Sequence, residues 1–294
     1  MGNQMNIWIS DYTVESRQTS AGKLKEVFCG TDEIDHFIGK KEGVGSVVVH
    51  HLPPHGAFDV TFRANRIFYA WGSEVEVMIN SEAADLKEDH KIFIRSSAPV
   101  TIGNKSSQRP NLVIEVSSFP FSLDLYKTVG EGDVKHMPAI SDPMEIREFL
   151  GGKLEQITVY NVDPYFFGGN HYHTDRRKEL FLVAEGLVHV FERRVDRPNI
   201  GFTIEEILER IKSQDIDFAI YYDTFPAGGA FSFDTHESEL RLSHATAAGE
   251  KGAKFIELSN VAFDPEHYED STKDDILIPA NYSERKKLID CLAK

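Results

Sequence analysis

The feature that most restricts this chain is the brevity of its apolar runs. They are rich in Val, Ile, Phe and Tyr, and Gly, Pro, Asn or Asp cuts them before a helix could form. Residues 45–52, 58–63, 66–71, 75–79, 90–94 and 112–117 form one series. A second series comprises 156–161, 180–184, 187–192, 218–222, 230–233, 240–244 and 254–259. Short strands spaced this closely pack as sandwiches or barrels. Helical signals are few. Asp142, Pro143 and Glu145 open a helix that stops at Gly151 and Gly152, Thr203 and Glu206 form a capping box, and Ser283 can cap a C-terminal helix.

The two series repeat one another. IFYAWGSEVEVMIN from Ile67 matches FLVAEGLVHVFERR from Phe181 when Gly72 is laid on Gly186, and LVIEVSS matches KFIELSN with Glu115 on Glu257. A length of 294 residues accommodates two domains with a core each. The expected division is an N-terminal domain over 1–126, a Gly- and Pro-containing linker over 127–142, and a C-terminal domain over 143–294.

Charge and cysteine content narrow the function classes. With 32 basic against 47 acidic side chains the formal charge is −15, which disfavours nucleic acid and anionic membranes as partners. Two cysteines, Cys29 and Cys291, form no Cys-x-x-Cys pair and suit a reducing compartment. No apolar run reaches membrane-spanning length, and the start lacks the order of a signal peptide, so a cytoplasmic location is expected. The 12 histidines are the chemistry left to locate.

The densest of them lie in GGNHYHTDRRKELFLVAEG, residues 168–186. On a strand His171 and His173 project to one face and Tyr172 to the other. If TDRRK is a bend between antiparallel strands, Glu179 returns to that face and Gly186 ends the segment. Two imidazoles and a carboxylate converging on one point suit a divalent metal with open positions. In the first repeat the same offsets put Ala57, Asp59, Asn65 and Ile102 at the corresponding places, so that half carries no ligand set. His50, His51 and His55 read as structural or exposed.

This pattern resembles the first motif of the cupin superfamily: Gly, five residues, His-x-His, three or four residues, Glu, six residues, Gly. Here five residues separate His173 from Glu179, and the leading glycine falls on Tyr165. The second cupin motif is degraded: Pro226 and Gly228 are present, but Phe231 stands at the ligand position. The third histidine is then His244 or His236. The resemblance implies an all-β fold of two cupin-like double-stranded β-helix (jelly-roll) barrels in tandem with a few short helices. It also implies a divalent metal (Zn, Fe, Mn or Ni) held by His171, His173, Glu179 and His244.

Three finer likenesses point to sugars. Asn170 to Thr174 with Glu179 and Phe181 is similar to cupin phosphoglucose isomerases. The Gly-Gly, His-Tyr-His and Lys-Glu-x-Phe-Leu-Val order resembles capsule-sugar enzymes, and FDPEHYED resembles a tail of nucleotide-sugar ketoisomerases. They imply a metal-dependent isomerase or epimerase acting on a sugar phosphate or nucleotide-linked sugar by enediolate proton transfer, as a possible homodimer. The base is Glu179, Tyr160 or Tyr222, and Arg176, Arg177 and Lys178 are candidates for a substrate phosphate. A cupin-type dioxygenase and a non-catalytic sugar-binding protein are the competing classes.

Overall fold

The computed structural model describes residues 6–10, 16–19, 22–27, 33–39, 43–61, 64–96, 99–194, 203–213, 220–234, 242–262, 268–270, 279 and 281–293. The chain divides into two compact units, one of Met1–Glu15 and Val27–Glu155, the other of Ser16–Glu26 and Gln156–Lys294. Both are built of antiparallel strands, as the sequence predicts. Three strands come first: β1 (Asn6–Ser10), β2 (Ser16–Thr19) and β3 (Gly22–Val27). They are followed by β4 (Ser46–Leu52), β5 (Ala57–Val60), β6 (Ala64–Trp71), β7 (Val75–Ile79) and β8 (Glu82–Leu86). Next come β9 (Lys91–Ser96), β10 (Val100–Asn104), β11 (Asn111–Ser117), β12 (Tyr126–Thr128) and β13 (Lys135–Ile140).

Unit 1 has a six-stranded sheet, β1-β9-β6-β11-β4-β13, and a five-stranded sheet, β12-β5-β10-β7-β8. Leu52, Phe68 and Val113 from the first sheet and Phe58, Val77 and Ile102 from the second fill one core. Residues 127–142, expected to be a linker, instead carry parts of both sheets: β12 pairs with β5, and β13 pairs with β4. Pro138 hides this strand from a sequence reading, since proline lacks the ladder donor. β13 is the edge of its sheet, and an edge tolerates proline. The helix expected after Asp142 also belongs to this unit. It is α1 (Pro143–Leu150), with the Asp142 carboxylate accepting from the Met144 and Glu145 amides and Gly151 closing it in the left-handed region.

Inside unit 1 lies a fully buried carboxylate. Arg66 Nε donates to Glu115 Oε1 at 2.8 Å and His50 Nε2 to Oε2 at 3.1 Å. Tyr126 donates to the same oxygen at 3.2 Å, and His136 Nδ1 lies 2.7 Å from His50 Nδ1. His50 is therefore structural, while His55 sits exposed in a turn at φ 55°.

Unit 2 continues with β14 (Gln156–Val162), β15 (Phe167–His173), β16 (Lys178–Arg194), β17 (Ile220–Pro226), β18 (Ala230–Asp234), β19 (Leu242–Ser259) and β20 (Tyr268–Asp270). The main path is β17-β16-β19-β14-β3-β2, with β15 paired to β19 and β20, and β18 to β16. The hairpin of β2 and β3 thus joins this sheet although it precedes most of unit 1 in the chain. Gly186, expected to end a strand, does not. β16 runs through it with register shifts at Val183/Glu185 and Gly186/Val188. A Cβ on Gly186, at φ 81°, would meet the Gly252 carbonyl oxygen at 2.2 Å, so the close approach of two bent strands requires glycine.

Two clusters lie on opposite faces of this sheet. Phe181, Val183, Val188, Val190, Phe231, Phe233 and Phe255 pack on the inner face. Phe191, Ala245 and Ala247 pack on the outer face with α2 (Ile204–Ser213) and α3 (Tyr282–Leu292). Thr203 and Glu206 cap α2 reciprocally. The cap of α3 is Asn281, whose side chain accepts from the Ser283 amide, two residues earlier than expected. Among the described residues no helix is long and apolar enough to cross a membrane.

The Glu115 cluster sets a stability prediction. Burial alone would raise this carboxyl, but the His50 hydrogen bond and the Arg66 guanidinium hold it below the ordinary value. A depressed carboxyl contributes stability above its unfolded pKa of about 4.3, and that contribution is lost as pH falls through the folded value. Arg66→Leu should cost about 3–5 kcal/mol at neutral pH by leaving a buried charge uncompensated. Urea unfolding across the acid range should show the loss, with a weaker dependence on pH than in the wild type.

Candidate metal centre

β15 ends in His171-Tyr172-His173, and strand alternation turns both imidazoles inward. Residues 174–177 reverse the chain, and Glu179, second residue of β16, returns to the same face. His244 on β19 stands directly opposite His171. All four side chains are buried. His171 Nε2 lies 3.2 Å from His173 Nε2, His173 Nε2 is 3.1 Å from Glu179 Oε1, and His244 Nε2 is 3.5 Å from Glu179 Oε2. One nitrogen from each histidine falls within 4.8 Å of the others.

These residues fit a divalent ion. With metal–nitrogen bonds of about 2.1 Å, two ligands at angles between square and tetrahedral lie roughly 3.0–3.4 Å apart. The buried Glu179 Oε2 makes no hydrogen bond, which leaves a lone pair facing the imidazoles. Burial, with the neighbouring imidazoles, lowers His171, and burial lowers His244 to about 4. Both rings are thus neutral and able to coordinate at neutral pH. Burial opposes ionisation of Glu179, but the His173 hydrogen bond and the adjacent rings hold it well below the usual carboxylate range.

Glu257 is the residue that sequence reasoning missed. It is buried, and Tyr160 Oη donates to its Oε2. Burial first, then the Glu179 charge, pushes Glu257 up to about 8. Its signal was an acid inside the apolar run KFIEL, visible only as a repeat anchor. Burial likewise pushes Glu192, on the inner face of β16, up to about 7.

The remaining candidates separate. Arg177 is buried beside the centre, its Nη1 3.6 Å from Glu179 Oε1 and its Nη2 donating to the Ala262 carbonyl at 2.9 Å. Lys178 pairs with Asp234 at 2.5 Å and Arg176 is exposed, so the three do not assemble into one basic site. Tyr222, expected to line the barrel, packs on Phe191 in the outer cluster with its hydroxyl 2.8 Å from His189 Nδ1. Strand parity puts it on the face opposite the ligands. His236 lies outside the described residues. Phe231 stacks on Phe181, and Phe233 stacks on His244. Tyr165, where the leading glycine was sought, adopts a glycine-like φ of 60°.

Register explains why the described residues of unit 1 form no such centre. Ser117 faces Arg66 as Ser259 faces Glu179, so Arg66 occupies the carboxylate position. Ile102 faces Phe58 as His244 faces His171, and Val60 follows Phe58 as His173 follows His171. The gapless offsets had named Ala57, Asp59 and Asn65. The shifts in β15 and β16 move each equivalence by one residue.

The fold and ligand set define a two-unit, all-β protein with one candidate divalent-metal centre among the described residues. No family model matches the sequence, and no curated protein matches it. Among solved structures it is similar to the vicilin of Corylus avellana (10% identity, TM-score 0.40, covering 87% of this chain and 85% of that one). The vicilin of Solanum melongena gives 10% identity and a TM-score of 0.42 over 85% and 83%. An oxalate decarboxylase of Bacillus subtilis with Mn(II) centres gives 12% and 0.39 over 90% and 79%.

Elemental analysis of the purified chain should find one divalent ion, lost in the His171→Ala/His173→Ala double variant and in His244→Ala with secondary structure retained. Equal metal in all three would remove the centre.

Proposed function

We propose that unit 2 is a divalent-metal enzyme that isomerises or epimerises a sugar or related hydroxycarbonyl compound through proton transfer. The observation that carries this reading is the Tyr160–Glu257 pair set against Glu179 in an otherwise aromatic interior. Two adjacent carboxyls driven apart, one ionised and one holding its proton, are the usual mark of acid–base chemistry. Glu257, in its ionised fraction, takes the proton from the carbon beside the carbonyl and returns it to the neighbouring carbon, Tyr160 orients it, and Arg177 lies 3.6 Å from Glu179 Oε1. His171, His173, His244 and Glu179 would hold the ion, which supplies polarisation of a carbonyl and stabilisation of the developing oxyanion.

A dioxygenase is the second reading, favoured by Phe181, Phe231, Phe233 and Phe255 around the ligands. Incubation of metal-loaded protein with aldoses and ketoses in D2O separates the two. Isomerisation incorporates deuterium beside the carbonyl without oxygen uptake, whereas oxygenation consumes O2. Glu257→Gln should lower exchange by about 10²–10⁴-fold with metal content unchanged. Oxygen uptake without exchange would favour the second reading.

A further inference from the structure

The strand register identifies what stands beside the ligands. His171 on β15 faces His244 on β19, His244 faces Glu192 on β16, and Glu192 faces Tyr221 on β17. Directly opposed residues of antiparallel strands share a face, so these four side chains form one row across the sheet, with strands about 4.8 Å apart. The face is the interior. Val188 and Val190, four and two residues before Glu192 in the same strand, pack there with Phe181 and Phe255.

Glu192 is half-buried and, among the described residues, has no hydrogen-bond or ion-pair partner. A carboxylate partly withdrawn from water without compensation is costly, and a ligand offering hydroxyl donors would recover that cost. Tyr221 beside it is 53% exposed, its hydroxyl donating to Asp223 Oδ2 at 3.3 Å. Two of the three cations of the β15–β16 bend are already engaged, Lys178 by Asp234 and Arg177 by the Ala262 carbonyl and Glu179, and Arg176 is exposed to solvent on the bend.

We infer that Glu192, with Tyr221, reads the hydroxyl groups of the substrate, and that the metal centre takes an uncharged polyhydroxylated carbonyl compound and not a phosphorylated one. This rests on the reading of unit 2 as a metal-dependent sugar isomerase. An anion entering along the row would offer Glu192 no donor and would be repelled by its charged form in a partly desolvated site. A neutral sugar presents donors that the carboxylate accepts.

The test uses the full chain loaded with Mn(II), with metal content measured in every variant. Thermal shift is titrated with D-glucose, D-mannose and D-fructose and with their 6-phosphates. The neutral sugars should stabilise the wild type and the phosphates should not. Glu192→Gln should retain the metal and bind neutral sugars about tenfold more weakly, with Glu192→Asp partly restoring binding. The inference is overturned if the phosphates bind as well as the neutral sugars, if no neutral sugar binds, or if Glu192→Gln leaves the titrations unchanged. Failure of the wild type to bind metal overturns the underlying reading of the site instead.

Discussion

A carboxylate cannot be carried into a β-barrel interior uncompensated, and each unit carries one at the same register position: Glu115 on β11 and Glu257 on β19. Their neighbours follow from how each charge is met. In unit 1 the answer is internal. Arg66 and His50 hold Glu115 ionised, and the positions nearby are free to be Phe58, Val60 and Ile102. In unit 2 Arg66 is replaced by Glu179, which doubles the acid load. Glu257 then keeps its proton, and three imidazoles gather around Glu179. The same scaffold therefore yields a closed ion pair in one unit and a set of ligands in the other.

The ligands were legible because they lie within one strand, one bend and one strand start. Period-two alternation alone puts His171 and His173 on one face, and the bend between β15 and β16 has the length that returns Glu179 to it. His244 was less so, since only the pairing of β15 with β19 distinguishes it from other histidines downstream. Glu257 and Glu192 were not read as site residues, because an acid within an apolar run looks like a strand edge until its neighbours are known. Tyr222 failed for the related reason that parity along β17 has no internal reference. Only its pairing with Phe191 fixes the face.

The fold class was legible from run length, whereas the partition of the chain was not. Pairing partners in a sheet are non-local, and composition carries no record of them. Residues 127–142 look like a linker by glycine and proline content, yet an edge strand can bear both. The hairpin of β2 and β3 precedes the first repeat in sequence but pairs in the sheet of unit 2. Glycine is similarly ambiguous: Gly72 separates two strands, while Gly186 bends one continuous strand.

The one-residue shifts in β15 and β16 carry a further consequence. In a regular strand a slip of one residue sends every side chain to the other face, so a single shift would have turned the ligands outward. In β15 the shift falls between Gly169 and His171, immediately before the first ligand, and in β16 it falls after Val183, beyond Glu179. The segments bearing His171, His173 and Glu179 are thus regular in themselves, and the irregularity lies outside them on the glycine-bearing side. Bulges there re-aim the strands and let them bend, while the alternation that converges the ligands stays intact. Gly186 and Gly252, packed backbone to backbone, make that bend possible.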